Sequence, residues 1–205
     1  MILSFVLHVY TYNVITSLKI FQKFKSKQTM AIWTIDPTHS EVQFKVKHLM
    51  ISTVTGTFGT YEGSIETAND EDFVGTSVNF SADIDSISTG QEQRDGHLKS
   101  GEFFDAENFP KLSFVSTSMK KKEGDSYTLE GNLTIKGVTK PVSLNVEFGG
   151  IMGDFYGNTK AGFDISGKIN RQDFGLTWSG VTEAGGIVVS DEVKLVFNIQ
   201  AAKQK

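Results

Sequence analysis

From Glu41 onward, apolar and polar residues alternate along the chain. In "EVQFKVKH" Val42, Phe44, Val46 and His48 fall on one side, and Glu41, Gln43, Lys45 and Lys47 on the other. That is the period-two pattern of a strand with one buried and one wet face. The rhythm returns at Val78, Phe80, Ala82 and Ile84, at Leu112 and Phe114, at Tyr127 and Leu129, and at Val142, Leu144, Val146 and Phe148. It continues at Ala161, Phe163 and Ile165 and closes with Val193, Leu195, Phe197 and Ile199. With the glycine-rich segment "TVTGTFGTYEGSIE", the pattern predicts eight strands. Turn signals separate them at "ANDED", "KKKEGDS", "IKGVTKP", "FGGIMGD" and "EAGGIVVSD".

Eight strands with no helix–strand alternation predict an all-β antiparallel sandwich or closed barrel. Gly56, Gly59 and Gly63 suggest a strand that bends sharply, as barrel closure requires. An eight-stranded barrel is either filled by its own side chains or just wide enough for a slim ligand. One stretch breaks the rhythm. In "TGQEQRDGHLKSGEFFD", Gln91, Arg94, His97 and Leu98 recur at helical spacing, which predicts a short helix, interrupted near Gly96, crossing between strands as a lid.

Residues 1–29 differ from the rest of the chain. All 20 glycines lie after residue 55, and "MILSFVLHVYTYNVITSLKIF" is apolar without alternation. A secretory signal places its charge before the apolar run and a small-residue cleavage site after it, whereas here Lys19, Lys23, Lys25 and Lys27 come after. A membrane span would be cleaner, without His8, Asn13 and Lys19. The preferred reading is an over-extended start, with translation from Met30 and a domain over 30–205. That start implies a cytoplasmic protein, with a periplasmic one as the alternative.

Composition narrows the chemistry. No cysteine is present, which removes disulfides and thiol catalysis. Beyond residue 29, 16 basic residues face 24 acidic ones, a net charge of −8 and a poor footprint for nucleic acid. Arg94, Asp95 and His97 could act as clamp, orienter and base, but no nucleophile elbow or telling acid pair accompanies them. The three histidines after the leader, His39, His48 and His97, lack the spacing of a zinc site, so no metal is expected. The 16 phenylalanines either fill a core or line a lumen for a long apolar chain. In the second case Arg94, His97 or Arg171, which include both arginines of the chain, would meet a polar or anionic head.

The stretch from about Trp33 to Ala201 resembles the YceI-like family of bacterial polyisoprenoid-binding, lipocalin-like proteins. "WTIDPTHSEVQFKVKHLM", "GTFGTYEG", "RDGHLKSGEFFDAENFPKLSF", "GNLTIKGVTKPV", "INRQDFGLTW" and "SDEVKLVF" match its blocks in order. The resemblance implies an eight-stranded antiparallel lipocalin-like barrel, a homodimer, and a long polyisoprenoid or quinone-like chain in the lumen, and the leading expectation is a barrel that binds a polyisoprenoid, isoprenoid quinone or fatty-acyl chain. It implies no catalytic residue and no cofactor beyond that lipid, with membrane contact for lipid exchange alone. Carried onto this chain, Arg94, Asp95, His97, Leu98, Phe103, Phe104 and Phe109 would line or gate the mouth. Phe44, Val46, His48, Phe58, Phe80, Phe114, Phe163, Phe174 and Trp178 would form the tunnel. The alternatives are a ligand-free stress or scaffold barrel, and an enzyme acting on a lipid through Arg94, Asp95 and His97.

Overall fold

In the computed structural model, which describes residues 30–68, 72–180 and 188–205, the alternating segments become eleven strands among the described residues. They are β1 (Ala31–Ile35), β2 (Glu41–His48), β3 (Ser52–Phe58), β4 (Tyr61–Thr67), β5 (Ser77–Asp83) and β6 (Ile87–Ser88). After the helix α1 (Glu92–Lys99) follow β7 (Lys111–Lys121), β8 (Ser126–Ile135), β9 (Val138–Gly153), β10 (Thr159–Asn170) and β11 (Val189–Lys203). β11 pairs with β2 along its first part, from Val189↔His48 to Asn198↔Glu41, and with β1 along its last, Trp33↔Lys203 to Ile35↔Ala201. β1 and β2 are therefore two halves of one long strand. β3 and β4 form a second, and β5 and β6 a third. Counted this way the sheet is a closed, eight-stranded antiparallel barrel.

Local chemistry explains each break. At Asp36–Ser40 the Pro37 ring starts a 3-10 turn, and the Asp36 carboxylate accepts the Thr38 N–H at 3.1 Å. Gly59 and Thr60 bend the second strand where the sequence carries its glycines. A 3-10 turn at Ile84–Ser86 interrupts the third. The first strand, Ala31–Ile35, lies upstream of the alternation read from Glu41. "FGGIMGD" is not a turn: Gly149 to Gly153 continue β9, paired to β10 through Gly150↔Gly162, and the chain reverses at Asp154–Asn158. Paired glycines carry no turn signal of their own once a neighbouring strand takes their backbone groups. The expectations for residues 1–29, and most of the turns expected at "ANDED" and "EAGGIVVSD", lie outside the described residues.

Helix α1 runs unbroken through Gly96, against the expected interruption. Gly96 is exposed and a side chain there would meet nothing, so its only penalty is about 1 kcal/mol of helix propensity. The helix and the turns after it, which bury Phe103 and Phe104, cover one end of the barrel. Among the described residues no helix is long and apolar enough to cross a membrane. A second irregular feature sits at the β2–β3 turn. Leu49 (φ 51°) and Met50 (φ 59°) are both left-handed, a conformation that costs an L-residue with a Cβ about 1–2 kcal/mol.

Candidate functional site

The inward faces of the strands do not meet in the middle. They enclose one cavity of about 180 Å³ whose wall is apolar. On β11 it is bordered from Val189 to Ile199. At about 3.3 Å per residue and a strand tilt near 40°, that run covers about 25 Å of the barrel axis. A cavity of about 150 Å³ in a packed core holds one benzene. Here a similar volume is drawn out along the barrel, so the space is long and narrow.

Two glycines keep it open. Gly56 on β3 stands directly across from Phe44 on β2, and a Cβ there would fall 2.2 Å from the ring's Cζ. Gly131 on β8 stands diagonally from Phe114 on β7, across from Ser116, and receives that ring in the same way, with its Cζ 2.3 Å from an added Cβ. The tip of each ring thus occupies the space over bare backbone that a Cβ would otherwise fill. With ordinary side chains at both glycines, the rings would be pushed inward and would fill the barrel.

Aromatic clusters close both ends. At the far end Phe73, from the β4–β5 connection, sits 4.9 Å from Phe163, 5.0 Å from Phe148 and 6.0 Å from Trp33 between ring centroids. At the helical end His97 meets Phe103 at 5.0 Å and Trp178 at 5.2 Å edge-on, while Phe104 meets Phe58 at 6.3 Å.

Ten of the seventeen residues expected at the site border the cavity: Phe44, Val46, Phe58, Phe80, Leu98, Phe103, Phe104, Phe114, Phe163 and Arg171. Seven do not. His48 ends β2 at the rim, paired with Ser52 and Val189 where the hairpin turns away. Phe109 lies over Gly137 of the β8–β9 turn, and Phe174 is buried in the core beside the cavity. Trp178 packs against His97 and Phe103 in the lid cluster.

Arg94, Asp95 and His97 do not converge. The Arg94 Nε donates to the Thr89 hydroxyl at 2.6 Å and its Nη2 to the Thr89 carbonyl at 2.9 Å. Asp95 accepts from the Thr89 N–H at 2.8 Å and from the Thr89 hydroxyl. Burial alone would raise the Asp95 carboxyl, but the Thr89 and Ser88 hydrogen bonds and the Arg94 charge outweigh it and hold the group below its usual range. Together the pair fastens α1 to the end of β6. His97 Nε2 instead pairs with Glu102.

Arg171 borders the lumen and is 3% exposed, but its guanidinium is fully engaged. Nε donates to the Ser190 carbonyl at 3.1 Å, Nη1 to the carbonyls of Leu176 and Trp178, and Nη2 to the Val189 carbonyl and the Asp191 carboxylate. All five N–H groups have partners, so no donor remains for a lipid head. The role expected for Arg171 is thereby corrected: it ties the segment after β10 to the start of β11.

Sequence reasoning missed Phe73, which is 1% exposed, because it stands alone in an acidic connection with no periodicity. It also left out Val193, Leu195, Phe197 and Ile199 as site residues, although their alternation was visible. On the outside of the barrel, Asp36 accepts from Lys160 Nζ at 2.8 Å and from Thr38, and contacts His39 Nδ1 at 3.0 Å. These contacts, the Lys160 bond foremost, hold its carboxyl far below the carboxylate range.

A closed β-barrel with an apolar lumen, capped by rings at both ends, defines a class of small binding barrels. Residues 33–201 match the model of the YceI-like domain, and the chain belongs to that family. Protein YceI of Salmonella newport (strain SL254) is 38% identical over 167 residues, 82% of this chain and 83% of that protein. Among solved structures, the Campylobacter jejuni YCEI protein is 32% identical with a TM-score of 0.65, covering 78% of this chain and 90% of that one. A polyisoprenoid binding domain from Saccharophagus degradans shares the fold at 18% identity and a TM-score of 0.59, covering 84% and 98%.

Proposed function

We propose that the protein binds a single long apolar lipid chain, isoprenoid or fatty-acyl in class, along the barrel axis, to carry, store or sense it. The elongated apolar cavity, held open by Gly56 and Gly131, carries this reading. A barrel selected only for stability would fill its interior to the density of a protein core, and glycine in a strand interior would be a pure loss. The narrow cross-section suits a chain one or two carbons wide and disfavours compact ring systems. The apolar wall adds little specificity for a head group, which would sit at an end of the tunnel.

The test is extraction of the protein purified from its own cells. Organic solvent followed by mass spectrometry is expected to release one isoprenoid, quinone or acyl lipid per barrel. Protein that yields no lipid and also refuses an added isoprenoid quinone would turn the reading toward a ligand-free scaffold.

A further inference from the structure

The β2–β3 turn places its most hydrophobic residues in water. Ile51 is 84% exposed and Met50 61%, and Leu49 is exposed as well. Leu49 and Met50 hold the two central positions of the turn at positive φ, where asparagine and glycine fit without strain. Turn chemistry therefore does not explain these residues, and intramolecular packing does not either.

The surface beside the turn is also unusual. Lys168 on β10 stands opposite Lys194 on β11, and Lys194 opposite Lys45 on β2. Their strand neighbours Ile169, Val193, Leu195, Phe44 and Val46 border the lumen, so the three lysines share the outer face in one cross-strand row. Like charges in direct register disfavour the sheet. Lys47 follows two residues nearer the turn. Lys168 pairs with Glu192 at 3.1 Å, whereas Lys45, Lys47 and Lys194 form no ion pair among the described residues. This basic row stands on a domain whose net charge is otherwise negative.

The turn adjoins the lumen. The Leu49 N–H donates to the Val188 carbonyl at 2.8 Å, and Val189 and Val46, at the base of the turn, both border the cavity. We propose that the Leu49–Ile51 turn and the lysine row Lys45, Lys47, Lys168 and Lys194 dock the barrel on an anionic phospholipid bilayer. The apolar tip enters the interface and the lysines meet the phosphates. Docking there sets the helical end of the lumen against the membrane that supplies or receives the lipid. The inference rests on the lipid-binding reading for its purpose. The turn at Phe155 and Tyr156, at the opposite end of the barrel, is even more exposed but is flanked by Asp154 and, among the described residues, lacks such a row.

The test is co-sedimentation of the full chain with phosphatidylcholine vesicles that contain or lack phosphatidylglycerol. Salt-sensitive binding to the anionic vesicles alone is expected. Lys45→Gln with Lys194→Gln is expected to weaken it by about 25-fold, about fivefold for each lysine. Leu49→Asn with Met50→Gly is expected to abolish binding while raising the Tm by several degrees, so the loss cannot come from unfolding. Phe155→Ser with Tyr156→Ser is expected to leave binding intact. Undiminished binding by the Leu49/Met50 variant, or loss in the Phe155/Tyr156 variant, overturns the proposal. So does a Leu49/Met50 variant that dissociates a dimer without affecting vesicle binding. Uptake of an isoprenoid quinone added from ethanol is measured in parallel. A wild type that takes up the quinone but ignores anionic vesicles sinks the docking surface alone. A wild type that refuses the quinone sinks the lipid-binding reading.

Discussion

Replacing Gly56 with alanine puts a methyl group where the Phe44 ring now lies. The new Cβ would stand 2.2 Å from Cζ, 2.5 Å from Cε1 and 2.9 Å from Cε2, so the ring must leave its place. No backbone atom is among those contacts, and β3 can keep its register with β2 while Phe44 turns into the lumen. The displaced rotamer costs about 0.5–1.5 kcal/mol. Alanine in place of a strand glycine returns about 0.5–1 kcal/mol. Net stability should therefore stay within about 1 kcal/mol, a Tm change of about 2–4 °C for a domain of this size. The effect on the cavity is far larger. A phenyl ring takes up most of a space near 150 Å³, and the lumen offers about 180 Å³. Titration with an isoprenoid quinone, followed by tryptophan quenching, should show affinity at least about tenfold lower, because a 1.4 kcal/mol loss of apolar contact suffices for that factor. A folded Gly56→Ala protein that binds quinone as the wild type does would refute the idea that a ring laid on glycine keeps the tunnel open. Gly131→Ala offers a contrast. Its Cβ would also meet the Val115 carbonyl oxygen at 2.6 Å, and backbone cannot turn aside, so a loss of about 1–3 kcal/mol in urea unfolding is expected.

Arg171→Lys leaves several carbonyls and the Asp191 carboxylate short of donors, and denaturant unfolding should report a loss of about 3 kcal/mol or more. Asp36→Asn removes the Lys160 pairing and should cost about 1–3 kcal/mol at neutral pH. Because the folded-state pKa of Asp36 is depressed, its contribution is complete above the unfolded carboxyl value and declines as pH falls below about 4. The gap between wild type and variant in urea midpoints should therefore narrow in acid, and a gap that widens there would refute the assignment. Thr89→Val keeps the shape but removes the hydroxyl shared by Arg94 and Asp95. Hydrogen exchange in α1 should then speed up while that of the barrel strands stays unchanged.

Much of the lumen wall is legible in the alternation of the chain. Phe44, Val46, Phe80, Phe114 and Phe163 each sit in phase with their strand's alternation, and all border the cavity. A side-chain period of two carries that information locally, whatever the strand's partner turns out to be. The charged residues are a different case. Arg94, Asp95, His97 and Arg171 announce hydrogen bonding but not its target, and all four are bound to backbone or to a neighbouring side chain around the lid and the lumen's edge.

Taken alone, the sequence determined the strand count, the antiparallel all-β class and the family, because these rest on residue order and periodicity. Tertiary structure decided whether the interior is full or hollow. That outcome depends on which residues meet on neighbouring strands, as with Gly56 directly across from Phe44 and Gly131 two residues along from the partner of Phe114. It likewise brought Phe73 to the far end of the barrel and lined up Lys45, Lys194 and Lys168 across three strands. Such meetings between residues distant in the chain are set by sheet register, which alternation constrains only to one face or the other.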